Sequence, residues 1–253
     1  MVYNSLTEAP RNLKEGMDWL LALKGTDAEA NLKAMGAALY DLLADTPVGF
    51  KEVPALEKVK PISKKFLEKG ELKDYSHVKD LLKRYEQPMN KTDWLWYKRH
   101  TSYHPSDYIN IIGFFRLNPE KIAKKLGDVV SGCEKFLEDV KIPDQYKSAY
   151  SSKATWEASC SKKPEACAAV LAGIAPMLYA GLQSLLDADK SAEKKGPGSK
   201  AATHLGEIMK AIGYVKPECR EDLTAPDVHK ALRGVDKHVV YTLYDISGMW
   251  AFY

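Results

Sequence analysis

The stretch from Ala166 to Leu186, ACAAVLAGIAPMLYAGLQSLL, carries no charged residue, and Glu165 and Asp187 bound it. A helix that is apolar on every side is buried either in protein or in lipid. Roughly 20 apolar residues span a bilayer, so length alone admits both. Composition favours protein. The run is rich in alanine and holds Gly173, Gly181, Gln183 and Ser184, which make it weakly hydrophobic and let neighbouring helices come close. Pro176 removes one backbone hydrogen bond and crowds the preceding turn, so a kink or break is expected there. We read the run as the buried central helix of an all-α globular bundle. An integral membrane span at 166–186 is the alternative.

A chain of 253 residues can bury a sizeable core. Residues 1–253 are read as a single helical domain. A division into N-terminal helical hairpins over 1–87 and a main bundle over 88–253 is the variant of that reading. The net charge of +3 makes no polycation, so no nucleic-acid partner is expected. The opening MVYNSLTEAPRN has no apolar core behind a basic start, and GMWAFY at the other end holds no lipid-anchor signal. On those grounds alone the chain reads as cytoplasmic.

Periodicity places helices along the whole chain. Leu13, Met17, Leu20 and Leu21 share a helical face that Gly25 ends, and Asp27 caps a second helix with Leu32, Met35, Leu39, Leu42 and Leu43 inward. The pair predicts an antiparallel hairpin. Pro54 opens a helix to Gly70, disturbed at Pro61, and Ser76 caps the next. No clean period emerges between residues 87 and 117. Asn118 followed by Pro119 is a strong helix start, and Pro143 follows its end. Short helices are expected around Tyr146 and Trp156. Residues 187–200, DADKSAEKKGPGSK, read as a flexible linker. Thr224 with Pro226 opens one further helix and Asp236 caps the last.

No phosphate-binding, dinucleotide-binding or nucleophile-elbow motif occurs, and no cofactor is expected. His100 and His104 share a face only if they lie on one helix. Pro105 follows them and no cysteine cluster completes a metal set, so no metal site is assigned. The carboxylate pairs Glu15 with Asp18 and Glu138 with Asp139 are of a kind common on solvated helix faces. The chain is therefore read as a non-enzyme, with an enzyme of unrecognised class as the alternative. The most unusual stretch is WLWYKRHTSYH. Trp94, Trp96, Tyr97, Arg99 and Tyr103 form a candidate protein-contact surface, because aromatics beside arginine favour interface hot spots. The other reading puts the aromatics in the core and the basic residues at a helix end. Of the four cysteines, none forms a C-x-x-C pair. They are either reduced and buried, or Cys160 pairs with Cys167 across a chain reversal.

The stretch LTEAPRNLKEGMDWLLALKG, Leu6 to Gly25, resembles the opening of the variant erythrocyte surface antigens of Babesia-type piroplasm parasites. Pro10, Asn12, Leu13, Lys14, Glu15, Asp18 and Trp19 carry the match. YKSAYSSKATWEASCSKKPEAC and VVYTLYDISGMWAFY are similar to segments of uncharacterised helical proteins of those parasites. The resemblance implies a protein exported to or displayed on the infected red cell, with a role in antigenic variation or adhesion and a protein partner of host or parasite origin. It implies no catalytic residue.

Overall fold

The computed structural model describes residues 2–87, 104–215 and 224–253. It is an all-α bundle. Among the described residues no strand forms, and Tyr3 with Tyr150 makes an isolated parallel bridge.

The central helix runs from Pro164 to Lys195, longer than the uncharged run that announces it. From Cys167 to Leu182 every residue is buried. By length and composition it could cross a membrane, yet 89% of its most apolar window is covered by the rest of the chain. Helices Leu13–Lys24, Ala28–Leu43, Lys60–Leu67, Lys200–Ala211 and Lys237–Ile246 all pack on it. Small residues set the approach. A Cβ on Gly173 would sit 2.7 Å from Val59, and the Ser63 hydroxyl donates to the Gly173 carbonyl at 2.6 Å.

The helix passes through Pro176 without a break, the more drastic of the two outcomes expected there. Proline inside a helix costs about 3 kcal/mol. Burial of the whole surrounding segment offsets that cost. The linker expected over 187–200 is corrected too. Residues 187–195 continue the helix and bury Ala188, Asp189 and Ala192; only the short Gly196–Ser199 turn separates it from Lys200–Ala211.

The caps follow local chemistry. Asn12, Asp27, Asn118 and Asp236 each accept a backbone N–H in the first turn of their helices. Thr224 and Asp227 form a capping box before Ala225–Ala231. Three details differ from expectation. Ser76 is the first residue of helix Ser76–Glu86 and Tyr75 occupies the cap without a side-chain bond. The helix opened by Pro54 stops at Glu57, and Pro61 lies in the first turn of the next helix, Lys60–Leu67, where a missing N–H costs nothing. The segment around Tyr146 forms turns, whereas Trp156–Ser159 is a short helix.

Candidate functional site

Trp94, Trp96, Tyr97, Arg99 and Tyr103 lie outside the described residues, as does His100. His104 sits among the rings of Tyr179, Tyr241 and Tyr244. Burial and the nearby Arg84 guanidinium hold it below the ordinary histidine range. Arg84 itself forms two buried hydrogen bonds to Asp107, at 2.7 and 2.8 Å. Among the described residues no group of three His, Cys, Asp or Glu side chains could hold a metal ion. Cys160 and Cys167 form a disulfide with Cα atoms 5.8 Å apart. A turn closed by Lys163 N–H to Cys160 C=O supplies the chain reversal that such a bond requires. Cys133 is a free buried thiol, pushed up to about 12 by burial, and Cys219 lies outside the described residues.

The residues that carry the resemblance to the surface antigens make a clasp. Trp19 is fully buried and its Nε1–H donates to the Leu6 carbonyl at 2.8 Å. Glu15 accepts from the Tyr3 hydroxyl and the Arg11 N–H. Asp18 accepts from the Tyr146 hydroxyl at 2.6 Å and the Ala149 N–H at 2.9 Å, and Lys14 donates to the Lys147 carbonyl. Burial still pushes the Asp18 carboxyl above its ordinary range, against the pull of these partners. Two stretches far apart in sequence, Leu6–Gly25 and Tyr146–Cys167, are thus fastened to each other. The polar side chains that looked available for chemistry are engaged in holding the backbone. Asp139, of the other carboxylate pair, meets Lys230 at 2.8 Å.

One constellation is invisible in the sequence. Ser184 Oγ lies 3.0 Å from His77 Nε2, and His77 Nδ1 lies 3.8 Å from Asp187. The residue types are those of a nucleophile, its base and an orienting acid. The setting is not. Ser184 is fully buried in the middle of the central helix, where a reacting carbonyl has no approach and the neighbouring N–H groups are engaged in the helix. The three side chains pin helix Ser76–Glu86 to the central helix.

Among the described residues, one turn presents exposed aromatic side chains. Asn110 caps the short helix Ile111–Phe114 and its side-chain amide lies 2.9–3.0 Å from the carbonyls of Leu43, Ala44 and Thr46. Arg116, at φ 49°, ends the helix: its N–H meets the Gly113 carbonyl and the Leu117 N–H meets the Ile112 carbonyl. That is the Schellman arrangement, normally built on glycine. It leaves Phe114 and Phe115 edge to face and 62% and 52% exposed. Beneath them lies a cavity of about 300 Å³ lined by Leu43, Ile111, Ile112, Leu117, Ile122 and Ile246, with Phe115 also on its wall. Lys125, Thr242 and Asp245 are its polar lining.

No protein-family model, curated protein or solved structure matches the chain.

Proposed function

We propose that the chain is a non-enzymatic helical protein of the variant erythrocyte surface antigen type, working by protein contact through the Phe114–Phe115 turn. The exposed pair is the observation that carries this reading. Two adjacent phenylalanines held outward by a left-handed residue form an apolar patch, and buried aromatic anchors dominate the energetics of protein interfaces. The clasp adds support. The residues behind the resemblance in Leu6–Gly25 and Tyr146–Cys167 serve one architectural task together, as parts of a shared scaffold would. The Cys160–Cys167 disulfide fits a protein that passes through an oxidising compartment, which favours export over the cytoplasm.

The test is saturable binding of the folded protein to intact red cells, compared with a Phe114→Ser/Phe115→Ser double variant of equal thermal stability. The expected result is binding that falls about tenfold or more in the variant. Equal binding by both proteins rejects the turn as the contact. Antibody staining of intact against permeabilised infected cells tests display independently.

A further inference from the structure

The cavity under the Phe114–Phe115 turn carries a charge of each sign on a mostly apolar wall. Lys125 comes from helix Pro119–Val140 and Asp245 from helix Lys237–Ile246, and these two helices pack against each other. Both side chains are half-buried. Among the described residues neither makes a hydrogen bond or an ion pair, and neither charged end is sealed from water. Lys125 is still near enough to act on the Asp245 carboxyl through space. The two charges are thus neighbours without being joined. Leucines and isoleucines make most of the remaining wall, and a volume of about 300 Å³ lies at the lower end of the range for small-molecule sites.

A half-buried charge is costly until a partner replaces the hydration it has lost. A carboxylate head alone would suit Lys125 and be repelled by Asp245, and an ammonium head alone would meet the reverse. An uncharged head leaves both without a counter-charge. A head that holds an ammonium beside a carboxylate satisfies the two together. Burial pushes the Asp245 carboxyl above its ordinary range, while Ser106, Lys125 and His238 pull it back. An arriving ammonium pulls the same way as Lys125, so binding favours the ionised acid. The aliphatic wall adds the need for one apolar body attached to that head. We propose that this cavity binds an aliphatic α-amino acid, with its carboxylate on Lys125, its ammonium on Asp245 and its side chain among the isoleucines. The site does not rest on the contact reading, because no partner protein enters into it.

L-Leucine is the probe, titrated into the full chain labelled at isoleucine δ1 methyls. Three comparison ligands separate the contributions. N-acetyl-leucine lacks the ammonium, leucinamide lacks the carboxylate, and 6-aminohexanoate has the atoms of leucine with its charges at opposite ends. Saturable shifts are expected at Ile111, Ile112, Ile122 and Ile246, with leucine bound roughly tenfold or more tightly than any of the three, the scale of one charged hydrogen bond. Lys125→Met should weaken leucine by about the same factor without weakening leucinamide. Asp245→Asn should weaken leucine likewise without weakening N-acetyl-leucine. Unsaturable shifts, shifts at other isoleucines only, a comparison ligand bound as tightly as leucine, or indifference of leucine to either variant would each overturn the proposal. So would silence of all four methyls, which is the signature of a cavity filled by water alone.

Discussion

Arg116 adopts a backbone conformation that costs an ordinary L-residue about 1–2 kcal/mol relative to glycine. Its backbone carbonyl accepts from Lys121, a bond that a side-chain change leaves intact. Arg116→Gly is therefore expected to stabilise the protein by about 1 kcal/mol, or roughly 2–4 °C in Tm for a chain of this size, measured by thermal unfolding. A lower Tm would show that the turn is not strained. His77 gives a pH signature. Burial, against the pull of Asp187, keeps it below the ordinary histidine range. The unfolded chain then binds this proton more readily than the folded one. The contribution to stability is whole above about pH 7 and is lost as pH falls below about 6.5. His104 adds in the same direction, whereas His229, raised by its bond to Asp189, opposes it. The discriminating measurement is the urea midpoint at pH 7.5 and 5.5. His77→Gln should show a smaller fall than the unaltered chain. At this scale the sequence spoke through its caps. Asp27, Asn118 and Asp236 act on neighbours three residues away, a distance that one-dimensional reading covers; Asn12 does the same and was missed. The Phe114–Phe115 turn was not legible, because its left-handed residue is an arginine, where glycine is the usual marker. The cavity was not legible either, since Leu43, Ile112 and Thr242 come together only in the fold.

Helix contacts explain what reading by element found and missed. Helices Ala28–Leu43 and Pro119–Val140 pack together at Gly36, where an added Cβ would lie 2.6 Å from the Pro119 carbonyl and 2.8 Å from Ala123. Backbone cannot give way as a side-chain tip can. Gly36→Ala should destabilise the protein by about 1–3 kcal/mol despite the better helix propensity of alanine, read as a shift in urea midpoint. Stabilisation would mean that the two helices are free to separate. The central helix itself was plain in the sequence, since an uncharged run bounded by acids has few other uses. Its extension to Lys195 was not. The buried face of residues 187–195 is made by Ala188, Asp189 and Ala192, with His229 on Asp189 at 2.9 Å. Alanine and a paired aspartate carry almost no hydrophobic signal, so the segment reads as polar until its neighbours are known.

Across the whole molecule, the buried apolar side chains from Tyr3 to Tyr253 form one connected core. Trp19 of the clasp and both cysteines of the disulfide are fully buried parts of it. The Cys160–Cys167 bond closes a short loop, for which chain entropy gives about 2 kcal/mol. A Cys160→Ser/Cys167→Ser variant is expected to unfold at lower urea by that amount, and the unaltered protein should match it once reduced. Cys133 should resist alkylation in the folded state, because burial keeps its thiol protonated. The clasp has a further bearing on how the chain comes off the ribosome. Tyr3 pairs with Ala149 and Ser151, and Leu6 with Ser159. Residues 3–23 have no complete docking place until the segment around residue 160 has emerged, which at ordinary translation speeds takes roughly ten seconds or more. For that interval the indole of Trp19 and the leucines beside it stay uncovered, a natural landing place for a chaperone.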